Sequence, residues 1–521
     1  MKRLLRLIPF ALIFSVSIAA FGYEVETHEE MSAHAAQRSV LTQGVLSGIG
    51  LTGTLDTVVL SDGSINSTVL EWIRYGANHE DDFYYINHFY NPLNGQGYSF
   101  LFITGFPSPL WGLEPTAIDE QNYSLIDARD YFYKGLTLPA TAVRERNLAL
   151  TFQTLGHVIH LIQDAAQPQH TRNDSHGLGS LYESFTNESR LGLPYGGYPS
   201  DTTSVKFNTA VSFWHTLPPQ INILAGQGIA EYSNRSFVTT GTNFRPDGSN
   251  VITDPNFPSP AYDPETGFST DIATMMVTMP TCSVVTNLQG QLTFYGNIIN
   301  DSYMNTVDFN QYATTLSLFD ADLQNIIPGE RFFSLNRFNF CAAQDRLIRR
   351  AVGYSAGLID YFFRGKLEAN YTEALGQLTV TAKNISGPEN SLTNGVFELY
   401  YDAIDNTRKS LSIINGANVG STGIVDGGSW VITANRPSDV DTGKQNPYIL
   451  VYRGDIGAEN GILGKVVLKA SKSLYVGGRQ GLYKFTTDGA LVFGPLNDSN
   501  NNYGDLTAVA IAGGYIYAAG Q

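Results

Sequence analysis

The sequence predicts a multidomain protein: a mostly α-helical first domain followed by all-β domains, a β-sandwich and then propeller-like repeat strands. Three observations carry this. Apolar residues recur at helical spacing over residues 144–163 and again over 341–363. Near Lys366 the pattern changes to short strand-like runs between Gly, Asn and Pro turns. From Ser473 onward, Leu474-Tyr475-Val476-Gly477-Gly478 is echoed at Tyr515-Ile516-Tyr517-Ala518-Ala519-Gly520, a spacing of about forty residues that is near a propeller-blade period.

The chain opens with Lys2, Arg3 and Arg6, an apolar run over residues 7–21 and then small residues. That is the pattern of a secretory signal peptide, too short and wrongly flanked for a membrane span. Ala20-Phe21-Gly22 fits the cleavage rule, so residues 1–22 are expected to be removed, leaving Tyr23 first and the protein secreted or periplasmic. Cleavage takes three of the 32 basic residues and none of the 48 acidic ones, which moves the net charge from −16 to −19. So acidic a protein is repelled by nucleic acid at long range, and no stable nucleic-acid complex is expected.

The expected domains are 23–366, 367–470 and 471–521. In the first, Thr27 with Glu30 reads as a capping box that starts a helix at His28 and runs it towards Val40. His34, on another face of that helix, reads as surface. Arg74 to Asp82 leads into Asn87-His88-Phe89-Tyr90-Asn91-Pro92, a loop that delivers Asp81 and His88 in an aromatic setting. Residues 144–163 present Leu148, Phe152, Leu155, Ile159 and Ile162 as the apolar stripe. Pro168 ends that helix. After a glycine-containing loop, a further helix begins near Ser180. Residues 191–301 are loop-rich and give no assignment, and helical patterning is expected over 310–326. In 341–363 the buried face is Leu347, Ala351, Tyr354, Leu358 and Phe362. The sandwich strands are read at 378–382, 396–401, 429–432 and 448–452. The last segment supplies little more than one blade, so the propeller-like repeat is incomplete or packs on something else. The two cysteines, Cys282 and Cys341, are compatible with one bridge or with two buried thiols.

The chemistry gathers around Gly156-His157-Val158-Ile159-His160-Leu161-Ile162-Gln163-Asp164-Ala165-Ala166-Gln167-Pro168-Gln169-His170. His160 and Asp164, four apart, share one helix face, and His170 follows where the emerging loop can fold back. An isolated pair at this spacing is most often an ordinary hydrogen bond. Here, however, eight of the nine histidines fall between His28 and His176. His28, Asp81, His88, His160, Asp164, His170, His176 and Glu183 together offer the nitrogen and oxygen donors that zinc takes. Asp82 competes with Asp81, and His157 lies close to the face of His160; both read as supporting or structural.

The spacing His160-x3-Asp164-x5-His170, with Gln167-Pro168 before the last histidine, resembles the signature of the zinc-dependent phospholipase C family and the related fungal single-strand-specific nucleases. The Tyr23/His28 and Asp81/His88 elements fall in that family's order, and the resemblance covers roughly residues 23–366. It implies a mostly helical domain with three zinc ions that hydrolyses phosphate esters. Carried over, Asp81, His88, His160 and Asp164 hold one zinc. Asp164 bridges to a second, held by His28 and by the amine and carbonyl of Tyr23, and the third falls to His170, His176 and Glu183. Zinc-bound hydroxide is the expected nucleophile, with Asp81 or a neighbouring acid orienting it. This chain departs from the family at Tyr23, where Trp is usual, and at Gly179, where a histidine four residues before Glu183 is usual; His176 must therefore reach in from the loop.

The expected function is accordingly a secreted zinc-dependent phosphoric ester hydrolase of phospholipase C type, acting on a phospholipid head group with transient membrane-surface contact. Phe83, Tyr84, Tyr85, Phe89 and Tyr90 are either a surface for a choline cation or core. Two other readings stay open: a single-strand nuclease or 3′-nucleotidase, and a non-catalytic secreted binding or adhesion protein that works through its β domains. The partner of those β domains is not identified by the sequence.

Overall fold

The computed structural model describes residues 24–82, 85–100, 103–114, 121–174, 176, 180–196, 205–219, 226–239, 268–271, 291–301, 306–317, 322, 325 and 333–470, and in the tail the strands 473–478, 481–486, 491–496, 506–512 and 515–520. The signal-like segment and Tyr23 lie outside them. The helices used below are α1 (Val25–Arg38), α2 (Val69–His79), α3 (Leu125–Thr137), α4 (Thr141–Ala165), α5 (Pro168–Thr171), α6 (Leu181–Glu188), α7 (Ile229–Ser236) and α8 (Phe340–Phe362).

Helix α4 is the centre of the helical region. Every residue from Thr151 to Ala165 is buried, because α1, α2, α3 and α8 all pack against it. The sequence shows an apolar stripe, but over Thr151–Ala165 the polar residues are enclosed as well. A helix buried all round must satisfy its polar side chains internally, and that condition creates the site described below. The crossing of α2 and α4 is set by two glycines. A Cβ on Gly76 would lie 1.9 Å from the carbonyl oxygen of Gln153, and one on Gly156 would lie 2.2 Å from that of Ile73. The two backbones are therefore in direct contact, which only glycine permits.

Three local expectations change. Helix α1 starts at Val25, before the expected capping box: the Glu24 carbonyl accepts from the Thr27 and His28 amides at 2.8 and 3.3 Å, and no side chain caps the end. Thr27 is thus inside the helix, and its hydroxyl donates to Asn187 at 3.4 Å. His34 is only partly exposed and stacks on Tyr195 with ring centroids 4.4 Å apart. Of the helix expected over 310–326, residues 310–316 belong instead to the strand Thr306–Leu316, paired antiparallel with Gln291–Asp301 in a four-stranded sheet completed by Phe268–Asp271 and Phe333–Ser334, while 318–321, 323, 324 and 326 lie outside the described residues. Val307, Phe309, Thr314 and Thr315 suit a pleated surface, and a long partner strand outweighs a chance helical spacing. Pro168 opens α5 as well as ending α4, since a proline at the first helical position loses no bond. Cys341 is disulfide-bonded; Cys282 lies outside the described residues.

After α8 the chain enters β1 (Leu367–Ala374), β2 (Gln377–Asn384), β3 (Leu392–Asp402), β4 (Arg408–Leu411), β5 (Ile413–Asn415), β6 (Asn418–Val419), β7 (Ser429–Asn435), β8 (Tyr448–Ile456) and β9 (Glu459–Lys469). The pairing path runs β4-β3-β8-β9-β1-β2-β7-β5, with β6 on β3. Two antiparallel layers, β4-β3-β8-β9 and β1-β2-β7-β5, join through a short parallel pairing of Leu468 with Asn370 and Lys469 with Tyr371. The two ends of the path, β4 and β5, are separated only by Ser412, so the sheet curls almost into a barrel.

Leu378, Val380, Ile432, Tyr448, Leu450 and Tyr452 fill the interior at 0% exposure. Tyr400, Ile449 and Val451 belong instead to the helical core. Strand β8 is therefore covered on both faces, which is why it reads as an unbroken apolar run. Polar contacts fix the same junction: the Tyr133 hydroxyl donates to Glu398 at 2.7 Å, and Arg408 donates from Nη1 to the Leu136 carbonyl at 2.7 Å. In the tail, Ser473–Gly478, Gly481–Thr486 and Leu491–Leu496 form a three-stranded antiparallel sheet, and Leu506–Ala512 pairs with Tyr515–Gly520. Among the described residues, no helix is long and apolar enough to cross a membrane.

Candidate metal centre

Six segments converge on the lower half of α4. Helix α1 supplies His28, the turn after α2 supplies Glu80 and Asp81, and the short helical turn Tyr85–His88 supplies His88. Helix α4 itself gives His160 and Asp164, α5 gives His170, and α6 gives Glu183 with His176 from the preceding loop.

Asp164 lies at the middle. Its Oδ2 stands 2.8 Å from His88 Nδ1, 3.2 Å from His160 Nε2 and 3.8 Å from His170 Nδ1, and its Oδ1 stands 3.4 Å from His28 Nε2. Asp81 Oδ1 lies 3.5 Å from His88 Nδ1 and 3.6 Å from His160 Nε2. A few ångströms along, His176 Nε2 is 2.9 Å from Glu183 Oε1, while the rings of His170 and His176 are 5.1 Å apart. Three groups could each hold a metal ion: His28, Asp81 and His160; His88, His160 and Asp164; and His170, His176 and Glu183. All eight of the described expected residues stand together. Asp82 is exposed and apart from them.

A test of fit is whether these donors are already used. Both oxygens of Asp81, both oxygens of Asp164, both nitrogens of His88, and Nε2 of His160 and of His170 are buried and make no hydrogen bond. They approach one another, yet without hydrogen-bond geometry. Buried polar atoms are otherwise almost always bonded, so a cluster of lone pairs without donors is what an ion would complete. Imidazole nitrogens with carboxylate oxygens form the donor set of zinc-like divalent ions.

The nitrogens that face the centre are chosen by bonds on the far side of each ring. His160 Nδ1 donates to the Ala77 carbonyl at 2.7 Å, and His176 Nδ1 to the Asp174 carbonyl at 2.9 Å; a carbonyl only accepts, so in each ring Nε2 is left as the lone-pair atom. His28 Nδ1 is bonded to Gln163 Oε1 at 2.7 Å, and the Gln163 amide continues to Ser32 at 2.9 Å and Ser355 at 3.5 Å. The Ala77 contact depends on the Gly76–Gly156 crossing, so helix packing sets a histidine tautomer.

Electrostatics follow from burial. Burial alone lowers His160, but the carboxylates of Asp164 and Asp81 outweigh it and raise the imidazole to about 10. Burial would raise Asp164, and the surrounding histidines, His170 and His160 first, hold it well below the usual range instead. Burial lowers His170 to about 3, against the opposing pull of Asp164. It also raises Glu183 to about 7, against the pull of His176. For Asp81, burial raises the carboxyl and the nearby Asp164 charge adds to the rise.

Sequence reasoning missed Glu80, Gln163 and Gln167. Glu80 accepts from His157 Nδ1 and Trp111 Nε1, both at 2.7 Å, and Gln167 bonds Glu183. Each stands one residue before, or a helical turn from, a candidate ligand, which is the one signal the sequence held. Phe89 and Tyr90 are core, 1% and 3% exposed. Phe89 stacks on His170 at 4.4 Å and Tyr90 bonds His215 at 2.7 Å, so neither is available to a choline head group. Phe83 and Tyr84 lie outside the described residues.

No protein-family model matches the chain, and no curated protein matches it. Among solved structures, the alpha toxin of Clostridium absonum is similar at 11% identity over 94% of this chain and 97% of that one, with a TM-score of 0.24. The alpha-toxin of an avian strain of Clostridium perfringens is similar at 13% identity over 85% of this chain and 97% of that one, with a TM-score of 0.23. At such scores the likeness carries no argument, and what the site does must be read from its own residues.

Proposed function

We propose that this protein is a secreted zinc-dependent phosphoric ester hydrolase that releases the phosphorylated head group of a phospholipid. The observation that supports the reading best is the buried array of imidazole and carboxylate atoms without hydrogen bonds, on the motif spacing that resembles the zinc-dependent phospholipase C family. In this reading Asp81, His88, His160 and Asp164 would hold one ion. His28 and Asp164 would hold a second with the amine and carbonyl of Tyr23, and His170, His176 and Glu183 would hold a third. When bound, zinc lowers the pKa of water to about 7 and offsets the charge of the phosphate.

The chain's own residues do the rest. Asp81, whose two oxygens have no hydrogen bond, accepts a proton from the attacking water and aims it at phosphorus. His160 and His28 stack with centroids 3.7 Å apart and keep bulk water out. Removal of residues 1–22 would expose the Tyr23 amine, which makes export and assembly of the centre one event.

The test is release of phosphocholine from phosphatidylcholine by the signal-cleaved protein, with and without a chelator, beside a form carrying one extra N-terminal residue. Chelator-sensitive release that falls in the extended form is expected. Chelator-insensitive release, or none, would remove the proposal; cleavage of single-stranded nucleic acid in its place would select the nuclease reading.

A pH effect follows at the third group. Glu183, raised to about 7 by burial, carries a proton in part of the population at neutral pH, and a metal must displace it. Affinity for zinc at this group should therefore rise with pH, by up to about tenfold per unit below 7, and level off above. Competition with a chromophoric chelator between pH 6 and 8 measures this; a flat profile in the native protein would show that Glu183 is not a ligand.

A further inference from the structure

Glu80 is 3% exposed, and the ionisable groups that reach it are the imidazoles of His157 and His88. Its Oε2 accepts from His157 Nδ1 and its Oε1 from Trp111 Nε1, each at 2.7 Å. The same Oε1 faces His88 Nε2 at 3.7 Å, and His88 has no hydrogen bond on either nitrogen. The other nitrogen of that ring, Nδ1, is the one turned to Asp164 and Asp81. Glu80 and Asp81 are neighbours at the end of α2, so one backbone segment sends one carboxylate into the centre and the other behind His88. A ligating histidine is commonly oriented by a carboxylate on its outer nitrogen, which fixes the tautomer and strengthens the donor.

We propose that Glu80 is a positioning residue: its buried carboxylate, aimed by Trp111 and His157, holds the Nε2–H form of His88 and so presents the Nδ1 lone pair to the ion. The inference rests on the metal reading given above. No bond in the substrate passes through Glu80; it acts by fixing where a proton sits on His88.

The test uses the full signal-cleaved protein, loaded with zinc or with cobalt. Glu80→Gln, which keeps the size and removes the charge, should weaken metal binding at the His88 group about 10–100-fold and shift the visible cobalt bands, leaving the affinity of the His170/His176/Glu183 group unchanged. Trp111→Phe, which takes away one of the bonds that aim the carboxylate, should shift the same bands in the same direction by less. Should Glu80→Gln fail to fold, Trp111→Phe carries the test alone. Unchanged affinity and unchanged cobalt bands in either folded variant would overturn the role of Glu80 while leaving the hydrolase reading intact. A native protein that takes up no zinc would overturn both, and one that binds zinc without acting on phosphatidylcholine would leave this inference to stand on the cobalt spectrum.

Discussion

Asp164→Asn should strip the protein of metal and of all detectable hydrolysis. The carboxylate is fully buried and touches four imidazoles, with each of its oxygens engaged on a different side. The amide keeps the volume but offers one oxygen in place of two and removes the negative charge beside His160 and His88. Loss of a partner behind a ligand costs about 10–100-fold in metal affinity; loss of a shared ligand should exceed that. Zinc content by mass spectrometry and phosphocholine release are the readouts. The folded variant retaining both zinc and turnover would show that Asp164 is a structural acid, and the proposed function would go with it.

The second large effect is expected far from any ligand. Gly76→Ala places a methyl group 1.9 Å from a carbonyl oxygen of α4, and the obstacle is backbone, which cannot swing aside as a side chain would. Overpacking costs about 1–3 kcal/mol and sometimes more; a backbone clash between two core helices belongs at or above the top of that range. Any relief that parts α2 from α4 also lengthens the bond from the Ala77 carbonyl to His160. We therefore expect a lower denaturation midpoint together with weaker zinc binding. Gly192→Ala, where the new methyl meets nothing within 4 Å, is the control and should change neither. Native stability in Gly76→Ala would mean that the two helices do not cross as described.

The two predictions mark how differently parts of the site were legible. His160, Asp164 and His170 could be read as a unit because a helix repeat and one proline fix their spacing within a single segment. His28, Asp81, His88, His176 and Glu183 were readable only as residues of the right type in a suggestive order. Glu80 and Gln163 were marked only by standing next to a candidate ligand, since an acid beside an acid and a glutamine beside an aspartate have no periodicity of their own. Residues 310–316 of the strand Thr306–Leu316 were read as helix because spacing over so short a stretch is ambiguous until the partner strand is known. The capping box at Thr27 failed for a related reason: a cap depends on where the helix begins, and the Glu24 carbonyl begins it earlier.

The sequence by itself determined the order of the elements, a helical region followed by strands, and the chemical character of the centre, because residue type and local spacing are properties of one segment at a time. Which nitrogen of each histidine faces inward, which carboxylates share a neighbour, and that Thr151–Ala165 of α4 is enclosed on every side were decided only by the tertiary structure. Those properties depend on distances between segments as much as about 190 residues apart in the chain, as between Gln163 and Ser355. Such distances are set by packing, here by two glycines that let α2 and α4 touch.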